Sequence, residues 1–146
     1  MAETLEGLQV WQRAKEFWNA INAIVEREAL RTDKGLRDQL KRCSDSILAN
    51  MSEGFAQPTD RAFSNYLFTS KASTAEARTH LASARDRGYI TDADFTEANA
   101  IGDEVAAMTT GLIKYLRRSD RRDRGLGLSH GHRRHDKWRR PDRDRR

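Results

Sequence analysis

With 146 residues, a single cysteine and 34% charged side chains, the chain is sized for one domain with its own core and cannot form an intrachain disulfide. The lone Cys43 fits a reducing compartment, and MAETLEGLQVWQRAKEF lacks the apolar run of a secretory leader. No stretch approaches the roughly 18 apolar residues of a membrane span, so a soluble, cytoplasmic protein with no membrane partner is expected. The net charge of +5 is unevenly placed: residues 117–146 hold 13 Lys/Arg against 5 Asp, and residues 1–116 hold the other 14 against 17 Asp/Glu. The basicity therefore belongs to the last thirty residues.

Apolar positions follow one helical period along the chain. Trp11, Ala14, Trp18, Ile21 and Val25 share a stripe, as do Leu36, Leu40, Cys43, Ile47 and Asn50. A third stripe joins Phe63, Tyr66, Ser70, Ser73, Ala77, His80 and Ala84, widened by Leu67, Thr74 and Leu81. A fourth joins Ala98, Ile101, Val105, Met108, Leu112 and Tyr115. Side chains three and four apart lie on one helix face, so each segment reads as an amphipathic helix. Thr32 or Asp33 is placed to cap the second helix, and Gly54 to end it in a left-handed turn. Thr59 or Asp60 caps the third, Gly88 stops it, and Thr91-Asp-Ala-Asp opens the fourth with an acid where the dipole favours one. Short connections predict an all-α, antiparallel, up-down-up-down four-helix bundle over residues 1–118. From Ser119 the periodicity fails, and residues 119–146 read as a disordered Arg-rich tail.

The segment LKRCSDSILANMSEGF, residues 40–55, places Cys43, Ser44, Ser46, Ile47 and Asn50 toward its partners. Ser70, Ala72, Ser73, Ala75 and Ala77 offer a complementary strip of small residues on the third helix, which predicts a close helix pair. Asn50 and Glu53 read as structural, satisfying backbone groups near the end of the bundle. Trp11 and Trp18 read as core or subunit-contact residues.

Chemistry-bearing clusters are sparse. Glu-x-x-His, the signature of di-iron bundles, does not occur. Glu76 and His80 share a face, and the reading favours a histidine satisfied by its helical neighbour over a metal ligand. Cys43 has no histidine near it in sequence and reads as an inert core residue. His130, His132 and His135 lack the cysteine partners of a structural zinc site. No enzyme, catalytic residue, metal or cofactor is expected.

These motifs carry a resemblance. Leu8, Val10, Trp11, Gln12 and Ala14, then Gln39, Leu40, Arg42, Ser46, Ile47, Asn50, Glu53 and Gly54, then Leu67, Ser73, Glu76, Leu81, Ala84, Gly88 and Tyr89 resemble the blocks of the four-helix-bundle proteins first noted as products of intervening sequences in 23S ribosomal RNA genes. The likeness runs from about Leu8 to Tyr115. Tyr66, Ser70 and Ala72 depart from the family's usual Phe, Ala and Gly, the last bearing on helix approach. The resemblance implies homo-oligomers, commonly pentameric rings, and a similar bundle serves as accessory protein of diversity-generating retroelements, with a basic ring surface for nucleic acid. It implies no catalytic residues.

The sequence thus points to a non-enzymatic oligomeric bundle that binds nucleic acid, RNA in preference to DNA. The expected contacts are Arg117, Arg118, Arg121, Arg122 and Arg124 at the helix exit, then Arg133, Arg134, Lys137, Trp138, Arg139 and Arg140. Lys41 and Arg42 are secondary candidates. The alternative is a scaffold whose ring binds a partner polypeptide without nucleic acid.

Overall fold

A computed structural model describes residues 4–125, the side chain of Arg124 excepted. The chain folds into α1 (Gln9–Val25), α2 (Glu28–Arg31), α3 (Lys34–Phe55), α4 (Asp60–Asp86) and α5 (Asp92–Gly125), with no strand among the described residues. Four of these correspond to the predicted helices, and the single turn α2 is additional: it seats Leu30 in the core between α1 and α3. The four long helices pack α3 on α4, α4 on α5, and α1 on both α3 and α5.

Local chemistry sets the helix ends. Asp33 caps α3 by accepting from the Leu36 amide, and its other oxygen accepts from Arg87 and the Tyr89 hydroxyl. Those bonds, the Leu36 amide first, hold the Asp33 carboxyl below the usual range. Thr59 caps α4 through the Ala62 amide. At the start of α5, Thr91 Oγ1 accepts from the Asp94 amide and Asp94 accepts in return from the Thr91 amide, a capping box. Asp94 is also held by Arg27, the leading cause of its lowered pKa. Gly88 adopts φ 76°, and the Tyr89 and Gly88 amides return to the Ala84 and Arg85 carbonyls to close α4.

Gly54 departs from its expected role. The helix runs on to Phe55, and Gly54 is a buried helical residue rather than a left-handed terminator. A Cβ there would lie 2.7 Å from both Phe63 Cδ2 and Tyr66 Cβ. Its missing side chain is what lets the α3 C-terminus close on α4. Gly54→Ala is therefore expected to lower stability by about 1–3 kcal/mol despite alanine's better helix propensity, read as a lower urea midpoint; an unchanged or raised midpoint would contradict this packing.

Ala14, Ile21 and Val25 on α1, and Ala98 and Val105 on α5, are buried as expected, while the other members of those two stripes give way to residues about one position away. On α1 it is Phe17, fully buried, that fills the centre with Val10, Ala14, Ile21 and Ile24. Trp11 and Trp18 are half-buried at its flank, where Trp18 Nε1 donates to Asp45 Oδ1 on α3 at 2.8 Å and Lys15 lies over the ring. An indole with one polar edge suits that boundary better than the interior. On α5 the buried line is Ala98, Gly102, Val105, Thr109, Ile113 and Leu116, leaving Tyr115 exposed. Phe17 Cζ comes within 2.8 Å of where a Cβ on Gly102 would stand, so this second close approach couples α1 to α5.

The small-residue seam between α3 and α4 is present. Ser46 and Ser73 hydroxyls meet at 2.8 Å, and Ser70 Oγ donates to the Ile47 carbonyl at 2.9 Å. Ala72 and Ala75 are exposed and take no part, so alanine at 72 does not set the helix separation. Asn50 Nδ2 donates back to the Ser46 carbonyl within its own helix rather than to a chain end. The Glu53 side chain is exposed and caps nothing in α4, whose N-terminus Thr59 serves instead.

Candidate nucleic-acid interface

The C-terminal boundary of the folded region lies later than Ser119, because α5 continues to Gly125. Its last two turns run beside the beginning of α4. Arg85 stacks on Phe95 at one end of this pair and Arg117 on Phe68 toward the other, so the two helices are antiparallel. Arg117, Arg118, Arg121 and Arg122 are all exposed there, and Arg124 belongs to the same helix.

Between α4 and α5 these residues border a groove of about 600 Å³ lined by Phe68, Lys71, Thr110, Ile113, Lys114, Arg117, Arg118 and Arg121. All five charged residues on its wall are cations. The groove continues toward the start of α4 through Arg61, Ser64 and Asn65, where Asp120 supplies one acid. Phe68 is 42% exposed and Tyr115 47%, the large apolar side chains most open to water among the described residues. The Arg117 guanidinium carbon lies 4.7 Å from the Phe68 ring centroid, which holds a cation and an aromatic face in one place. Such a surface can neutralise phosphates and offer a stacking platform at the same time.

Phe68, Lys71, Lys114 and Arg61 escaped the sequence reading, and Tyr115 was assigned to the core stripe. A signal for them does exist: Arg61, Asn65, Phe68 and Lys71 are spaced for one helix face, away from the buried Phe63, Leu67 and Ser70. Lys114, Arg117, Arg118 and Arg121 share a face of α5 by the same rule.

Lys41 and Arg42 are not brought to this groove. They neighbour Cys43, which packs level with Glu76 and His80, and Arg78 in that turn bonds Asn99 and pairs with Asp103. At 1.5 Å per residue that level is roughly 20 Å from Arg117 along α5. Arg42 donates instead to Gln39 Oε1 on its own helix. Arg133, Arg134, Lys137, Trp138, Arg139, Arg140 and the histidines at 130, 132 and 135 lie outside the described residues.

The sequence of the 23S rRNA-intervening sequence protein family matches residues 6–111. The chain belongs to that family. A family member by this criterion, it shares its fold with a solved protein of unknown function from the S23 ribosomal protein family of Bacteroides thetaiotaomicron. The two are 22% identical with a TM-score of 0.66, over 72% of this chain and 98% of that one. No curated protein matches the chain. The family match ends at residue 111, before every cation of α5. Among the described residues no helix is long and apolar enough to cross a membrane.

Proposed function

We propose that this 23S rRNA-intervening sequence protein is a non-enzymatic, homo-oligomeric four-helix bundle that binds RNA through the α4–α5 groove. The observation that carries the reading is the wall of five cations without an acid, set around an exposed phenylalanine. Cations that bind phosphate confer affinity without reading sequence, and the ring of Phe68 can take an unpaired base of any kind. RNA is preferred to DNA because single-stranded loops present such bases, and the family's name associates its members with 23S ribosomal RNA.

Assembly as a ring, with a pentamer the expected state, would array one groove per subunit and multiply weak contacts through effective concentration. The cationic residues beyond 125 would add to the same field. The rival reading, a polypeptide-binding scaffold, has the two exposed aromatics in its favour but leaves the uniform charge of the groove without a purpose.

The test compares the full chain with one ending at Gly125, which keeps every groove residue. A chain ending at Ser119 would cut α5 and remove Arg121. In fluorescence anisotropy with a structured RNA, the Gly125 chain is expected to retain binding and a negative slope of log K against log salt. Loss of all RNA affinity on this truncation would move the function to the tail, and no affinity in either chain would refute the reading.

A further inference from the structure

Far from the groove, α3 and α4 bring Cys43 together with two residues more than thirty positions later in sequence. The Cys43 Sγ, a Glu76 carboxylate oxygen and a His80 ring nitrogen all lie within 4.8 Å of one another. Cys43 comes from the middle of α3, while Glu76 and His80 stand one turn apart on α4. The Ser46–Ser73 contact next to them, at 2.8 Å, shows how closely the small-residue seam lets the two helices approach.

His80 does not make the satisfying bond expected of it. Its Nε2 is buried without a hydrogen-bond partner, because the nearest Glu76 oxygen is 3.6 Å away, too far for such a bond. A buried polar nitrogen without a partner calls for an explanation. Cys43 is 2% exposed, with its Sγ within 4.8 Å of a Glu76 oxygen. What the three share is a set of donor atoms.

We propose that Cys43, Glu76 and His80 bind one zinc-class divalent cation per chain across the α3–α4 seam. Thiolate, imidazole and carboxylate are the ligands a borderline metal takes. Thiolate and carboxylate together balance a charge of +2, so the loaded site is neutral in its partly buried setting. On binding, the Cys43 S–H bond breaks, its proton passes to water, and sulfur bonds the metal with no change of oxidation state. The unpartnered His80 nitrogen becomes the second ligand and the carboxylate the third.

Donor atoms on a tetrahedral zinc ion sit about 3.3–3.6 Å apart, so no donor pair has to close by more than about 1.5 Å. The Glu76 side chain is 52% exposed and that of His80 22%, and these two can supply the movement by rotation. The open side at Glu76 gives the cation a way in and leaves a fourth position for water. Such a site would staple the two helices that share the largest contact in the fold.

The test uses the full-length chain carrying His130→Ala, His132→Ala and His135→Ala, so that the tail histidines cannot contribute. It is titrated with cobalt(II), and zinc is then added in competition. Cys43 is the chain's one cysteine, so a thiolate-to-cobalt charge-transfer band in the near ultraviolet reports that sulfur alone. One cobalt per chain with that band, bleached by zinc, is expected. Cys43→Ser should abolish the band, and His80→Ala and Glu76→Gln should each weaken binding about tenfold or more, with helicity retained by circular dichroism. Should a variant fail to fold, the band of the parent chain still decides. Cobalt bound without a sulfur band, no binding up to about millimolar metal, or affinity unmoved in a folded His80→Ala chain would overturn the site.

Discussion

Phe17→Ala is expected to lower the unfolding free energy by about 3–5 kcal/mol, the largest effect of any single truncation in this core. Phe17 is fully buried and projects against Gly102 of α5, with the Arg78 side chain of α4 closing the other side. Removing the ring leaves a hole where α1, α4 and α5 meet. Glycine 102 has no side chain with which to fill it. Since small domains are stable by only about 5–15 kcal/mol, the loss is a large share of the total. Urea denaturation followed by circular dichroism measures it. Trp18→Ala supplies the contrast, because its half-buried ring chiefly carries the bond to Asp45 and should cost less than Phe17→Ala. The reverse order would mean that the core of α1 faces the other way.

The largest effect on function is expected from reversing charge in the groove. A chain carrying Arg117→Glu, Arg118→Glu and Arg121→Glu should bind RNA about 100-fold more weakly or worse at moderate salt. Each cation lost from a phosphate should also flatten the salt dependence by about 0.7–0.9 in the slope of log K against log salt. All three side chains are exposed, so thermal stability should move little. The matched control is Lys41→Glu with Arg42→Glu, the same kind of change roughly 20 Å away along the helices. Near-equal losses from the two variants would mean that the whole surface field, not the groove, holds the ligand.

Much of the fold could be read from the chain because its signals are local. Asp33, Thr59, Thr91 and Gly88 act within a few residues of themselves, through caps and a left-handed closure, and each does in the structure what its type and place suggest. Misplaced residues fail for a different reason. Phe17 and Trp18 are neighbours 100° apart on the helix, and a broad apolar stripe accommodates either; only the presence of Gly102 opposite decides for Phe17. Gly54 near a helix end looks like a terminator until Phe63 and Tyr66 are seen against it. Residues 119–125 have no apolar stripe, yet Arg and Asp spaced three and four apart support a solvated helix with no breaker before Gly125.

The groove was half visible. Its α5 cations stood out as a charge run, whereas Arg61, Phe68 and Lys71 arrive from α4 about fifty residues earlier and join them only through antiparallel packing. The Cys43, Glu76 and His80 cluster was hidden in the same way. Cys43 had no histidine near it in sequence, and folding supplied one.

Ultraviolet cross-linking of bound RNA to the full-length protein, with the linked peptides identified by mass spectrometry, tests the location of binding most directly. Exposed aromatic rings stacked on bases are favourable sites for such links, so the peptide carrying Phe68 is expected to dominate and to disappear in the Arg117, Arg118 and Arg121 charge-reversal chain. Links confined to peptides outside the groove, or undiminished by that reversal, would contradict the assignment of RNA binding to the α4–α5 face.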